Sequence, residues 1–134
     1  MRHGAMGLLC AWVLAGCATI MPASGQMWGY FSRSEAIPSL NMIAYSADRP
    51  TCEVMRARDI ADAPKVAWAR MTTPTPCHLV MAAPGSGYWV FGIPGHAAAH
   101  GATDLDWCRK IREGLRQTYH GRLGECVPAA LRAD

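Results

Sequence analysis

The chain has 134 residues, of which 51% are hydrophobic and 17% charged, with a formal net charge of +3. That length fits one domain, and so low a charged fraction excludes a disordered polyelectrolyte. A balance of +3 is far from the strongly basic face that nucleic-acid binding requires, so no nucleic-acid partner is expected.

Arg2 and His3 head an apolar stretch from Met6 to Ala15, which ends in the small residues Ala15 and Gly16. That order is a secretory signal peptide, and its apolar core of about ten residues is too short to span a bilayer. The tetrapeptide Leu14-Ala15-Gly16-Cys17 resembles the lipobox of bacterial lipoprotein precursors. The resemblance covers only this segment and matches at all four positions. It implies that the Cys17 thiol receives a diacylglyceryl group and that signal peptidase II cuts between Gly16 and Cys17. The new α-amino group would then be acylated, with palmitate the fatty acid expected. The partner so implied is a membrane, reached through Cys17, because two or three acyl chains anchor stably where one does not. Ala18 stands where an Asp commonly marks inner-membrane retention. The expected location is therefore the periplasmic face of an outer membrane wherever two membranes exist.

Three segments follow: a signal peptide over 1–16, a lipidated N-terminus and short tether over 17–26, and one globular domain over 27–134. Cys10 leaves with the signal and Cys17 takes lipid, so Cys52, Cys77, Cys108 and Cys126 remain. An even number in an oxidising compartment favours two disulfides, and four cysteines allow three pairings. Cys52–Cys77 with Cys108–Cys126 is favoured because each closes a local unit. A four-cysteine metal site is disfavoured, since no C-x2-C pair is present.

Met27–Phe31 (MWGYF) reads as a short strand or anchoring turn, and Leu40–Tyr45 as a strand. Pro50 sits where a helix can begin, giving a short helix over Thr51–Asp59. Val66–Met71 alternates like a half-buried strand. Thr72–Pro76 is turn chemistry, and Cys77–Ala83 the returning strand. Pro84–Gly87 reads as another turn, followed by a strand over Tyr88–Ile93. Pro94–Gly101 (PGHAAAHG) is a small-residue connection. Thr103 with Asp106 resembles a capping box opening an amphipathic helix over Asp104–His120, ended by Gly121. Cys126–Leu131 closes the chain as a short strand or extended arm. The fold class expected is α+β: a small antiparallel sheet, a short helix and a longer C-terminal amphipathic helix, stapled by two disulfides.

A weak internal echo runs through the domain. Trp28 to Phe31 leads to Cys52 and Arg56, then Cys77; Trp89 to Phe91 leads to Cys108 and Arg112, then Cys126. Coincidence in a chain holding several Cys and Arg accounts for it more simply, yet the echo also favours the local disulfides.

Candidate chemistry is sparse. His96 and His100 stand four apart, a spacing that on a helix would direct two imidazoles to one metal. Glycines flank them and no acid lies between, so a solvated loop is the reading and no cofactor is expected. No nucleophile elbow, phosphate loop or fixed carboxylate pair appears, so no enzyme is expected. Arg109, Lys110, Arg112 and Arg116 make the last helix basic, a face suited to anionic headgroups or an acidic partner. The function expected is that of a lipid-anchored envelope protein, structural or accessory to an envelope complex. The alternative is a periplasmic metal- or small-ligand-binding module using His96 and His100.

Overall fold

The computed structural model describes residues 21–62, 70–95, 97–120 and 122–133. The elements run β1 (Gly25–Arg33), β2 (Asn41–Ser46), α1 (Arg49–Ala61), β3 (His78–Ile93), β4 (Ala98–Ala102), α2 (Leu105–Leu115) and β5 (Val127–Ala133). All strand pairings are antiparallel: β1 with β2, β2 with β4, β4 with the second half of β3, and the first half of β3 back to β1. These four strands close a barrel, and β5 runs along both halves of β3.

The α+β expectation is thereby corrected. With 43% strand the chain is mostly β, and the longer C-terminal helix is not formed. Helix α2 has 11 residues against 13 in α1. Beyond Leu115 the Arg116 amide bonds to the Glu113 carbonyl, and turns follow as far as His120, at φ 53°. The periodicity of Leu115 and Tyr119 correctly marks side chains packed on the core, but a run of turns serves them as well as a helix does. Asp104, rather than Thr103, caps α2 by accepting from the Trp107 amide. Asp48 caps α1 in the same way from the Thr51 amide, so that helix starts before Thr51.

Two further readings change. Pro84–Gly87 is no turn between strands. It is a bulge inside β3, where Pro84 and Tyr88 both pair with Ala129. The small-residue connection contains β4, whose five residues are all buried. Small side chains are what a strand squeezed between two neighbours can carry, and composition alone reads such a run as loop. The strand expected over Val66–Met71 falls mostly outside the described residues; Met71 makes an isolated bridge to Ser34.

Alternation along the strands sorts the apolar residues into two cores. Met27, Ile43, Tyr45, Val80, Ala82, Val90 and Ala99 fill the barrel. Burial there pushes the Tyr45 hydroxyl up to about 12. Tyr30, Ala44, Phe91, Ile93 and Ala98 point outward and are covered by the two helices, which add Cys52, Met55 and Cys108. Disulfides Cys52–Cys77 and Cys108–Cys126 fasten α1 to the start of β3 and α2 to the start of β5, the pairing favoured from the sequence.

The echo proves to be a structural repeat. Each half is strand, strand, helix, strand, with β3 ending the first half and opening the second. Asp48, Cys52 and Arg56 match Asp104, Cys108 and Arg112 at a constant shift. Trp28 pairs with Ser46 as Trp89 pairs with Ala102, which makes Tyr30 the counterpart of Phe91. Under the same shift the β2–β4 pairing maps onto itself, with Ala44 opposite His100 at its centre.

Candidate functional site

The helices lie on neighbouring parts of the outer barrel face and leave a cleft of about 620 Å³ between them. Arg58, Asp59 and Ile60 of α1 form one wall; Trp107, Lys110, Ile111 and Leu115 of α2 form the other. Tyr30, Met42 and His100 come from the strands, and Met71 to Pro74 close a third side. Prolines prevent residues 72–76 from completing a ladder on β1. Threonine hydroxyls substitute: the Phe31 amide donates to Thr75 Oγ1 and the Arg33 amide to Thr72 Oγ1, both at 3.0 Å.

At the inner end of the cleft, the Asp59 carboxylate accepts from two barrel side chains. His100 Nε2 lies 3.0 Å from Asp59 Oδ2, and the Tyr30 hydroxyl donates to the same oxygen. Burial works to raise the Asp59 pKa, but the His100 hydrogen bond and charge, the Tyr30 hydroxyl and Arg58 together outweigh it and hold the carboxyl below its ordinary value. Burial, then the negative charge of Asp59, push Tyr30 far above the ordinary phenol range. An ionised carboxylate accepts, so the His100 Nε2–H is the donor of that hydrogen bond. Nδ1 of the same ring is buried and has no hydrogen-bond partner among the described residues. Phe91 stacks on the ring at 6.2 Å and holds its plane.

The repeat supplies an internal control. At the positions equivalent to Tyr30, Asp59 and His100, the other half carries Phe91, Leu115 and Ala44. The scaffold is thus built with apolar residues at all three places. The polar set belongs to one half-site and is not demanded by the fold, whereas the N-cap, disulfide and Arg positions recur in both halves.

Of the sequence candidates, His100 reaches this site from a buried strand rather than a solvated loop: only 5% of it is exposed. His96, Gly16 and Cys17 lie outside the described residues. The basic residues of α2 are dispersed in their contacts. Arg109 pairs with Asp106 and Arg116 with Glu113. Lys110 sits 4.9 Å over the Trp107 ring at the cleft. Arg112 turns inward to the Gly124 and Leu123 carbonyls. Tyr30 and Asp59 were not legible as site residues from spacing. The usable signal was the echo, read for where its halves differ. No protein-family model, curated protein or solved structure matches the chain.

Proposed function

We propose that this chain is a lipid-anchored cell-envelope lipoprotein, accessory to an envelope complex, whose contribution is to bind a ligand in the cleft over Tyr30, Asp59 and His100. The anchor reading rests on the Leu14-Ala15-Gly16-Cys17 resemblance and is supported by the two disulfides, which suit an oxidising compartment. The binding reading rests on one observation: three polar side chains stand in the cleft where the other half of the same fold has apolar ones. A mainly apolar cleft with a few converging polar groups is the usual form of a small-ligand site.

Two measurements test this. Cys17→Ser should leave an unprocessed precursor that takes up no labelled palmitate; normal maturation of that variant removes the anchor. For the cleft, the lipidated protein is extracted from membranes and examined by native mass spectrometry beside Tyr30→Phe/Asp59→Leu/His100→Ala, which rewrites the site with the residues of its counterpart. The wild type should carry an adduct that the folded triple variant lacks. An identical spectrum for both, or a triple variant that cannot fold, would make the network a structural tie and overturn the binding reading.

A further inference from the structure

We infer that this chain pairs with a second copy of itself by exchanging halves, so that each cleft is built from two chains. The halves are residues 25–84 and 88–133, joined through Gly85, Ser86 and Gly87. Their ladders correspond residue by residue. Gly29 pairs with His78 as Val90 does with Val127, and Trp28 with Leu79 as Trp89 does with Pro128. Two ladders join the halves, β2 with β4 and the first part of β3 with β5. Each of them maps onto itself. In the second, Val80–Ala133 corresponds to Pro84–Ala129, Met81–Arg132 to Ala83–Ala130, and Ala82–Leu131 to itself. The two halves therefore present the same face to each other, which is the isologous geometry of a two-fold dimer.

Each half also carries its own fastenings. Cys52–Cys77 and the Arg56 bonds to Pro74 and Thr75 lie in the first, Cys108–Cys126 and the Arg112 bonds to Leu123 and Gly124 in the second. Separated halves keep these, and a second copy restores every contact that opening removes. The hinge is short: Pro84 and Tyr88 both pair with Ala129, so three residues make the connection. Gly87 lies at φ +114°, and a Cβ at Gly85 would stand 2.8 Å from that of Ala130. So short and tight a connection invites exchange. The polar network then selects the partner half. Pairing two first halves would set Ala44 opposite Ala44 and leave Asp59 without His100. Pairing two second halves would set His100 opposite His100, with no Asp59. Buried polar groups without partners are costly, so unlike halves pair and the dimer closes with two complete clefts. In each, Tyr30, Asp59 and α1 come from one chain, His100 and α2 from the other.

The test uses the full chain with Cys10→Ser and Cys17→Ser, which leaves no thiol outside the disulfides. Two differently tagged copies are expressed together and extracted in mild detergent without unfolding. One carries Ala83→Cys and the other Ala130→Cys, positions that pair across the β3–β5 ladder. Directly opposed residues are close enough for a disulfide. The tags should co-purify, and non-reducing peptide mapping should find the two introduced thiols linked between chains. Neither copy expressed alone should cross-link. Without the introduced cysteines the tags should still co-purify, and inserting Gly-Ser-Gly-Ser after Ser86 should abolish this by letting each chain close on itself. Tags that never co-purify, or that co-purify with the thiols unlinked, overturn the exchange. So does cross-linking in a copy expressed alone, or co-purification that survives the insertion. The insertion decides even if a cysteine variant does not fold, and each of these failures leaves the cleft reading standing.

Discussion

Arg56 and Arg112 make the same clamp in the two halves of the fold. Each side chain leaves its helix four residues after a disulfide cysteine. Nε of each donates to the carbonyl two residues before the partner cysteine, Thr75 or Gly124, and Nη2 to the one before that, Pro74 or Leu123. The guanidinium fork thereby satisfies two carbonyls that lie outside the strands, and a disulfide closes the same corner covalently. Lysine keeps the charge but lacks the fork. Arg112→Lys should lower the unfolding free energy by about 1.5–3 kcal/mol, the range for hydrogen bonds to charged groups. Arg56→Lys should cost less, because its Nε bond is exposed whereas the Arg112 side chain is only 17% exposed. Urea denaturation of the two variants checks the order, and equal or negligible losses would refute the clamp.

The same corner shows what the sequence disclosed. Disulfide pairing, both helix starts to within a few residues and the strands around Tyr88–Ile93 were legible, because caps, cysteine spacing and period-two patterns act locally. Barrel closure was not. It depends on β3 bending at Pro84–Gly87 so that one strand serves both halves, and on a strand of Ala, His and Gly that carries no strand propensity. The cleft was hidden for a related reason. Tyr30, Asp59 and His100 are far apart in sequence, and only the pairing of β1 with β2 and β2 with β4, with α1 laid across them, brings them together.

Closure also makes a sharp demand at Gly101. A Cβ there would lie 2.0 Å from the Trp89 carbonyl oxygen and 2.8 Å from Val90 Cα. Both obstacles are backbone of a paired strand, so nothing yields cheaply. Gly101→Ala should fail to accumulate as folded protein. Gly114, on α2, has nothing near its would-be Cβ, and Gly114→Ala should stabilise by about 0.5–1 kcal/mol through helix propensity. Thermal unfolding of both gives the test; a well-folded Gly101→Ala would mean that the strands are not so tightly apposed.

The two disulfides close separate loops, so they should act independently. Replacing Cys52 and Cys77 together by Ala, or Cys108 and Cys126 together, should each cost about 2–5 kcal/mol and leave the other bridge intact in non-reducing peptide maps. Because the losses arise in different halves, the quadruple variant should lose close to the sum, which exceeds the stability of many domains of this size. Scrambled pairing in either double variant would show that the halves do not fold as units.

Asp59 links the site to acid. Its folded-state pKa lies below the ordinary value of 3.8 because His100, Tyr30 and Arg58 favour the carboxylate over the cost of burial. A group depressed in this way binds its proton less readily when folded than when unfolded. The stability it confers is therefore complete above the unfolded pKa and disappears as pH falls through the folded one. Asp59→Asn retains an acceptor for Tyr30 but cannot ionise. Below about pH 4 the advantage of the wild type over this variant should shrink steadily as Asp59 takes up its proton. Tyr30 titrates far above this window and adds nothing to the slope. Urea unfolding of the two proteins at a series of pH values measures the difference directly. Parallel curves through the acid range would mean that Asp59 is not held as a carboxylate by its neighbours.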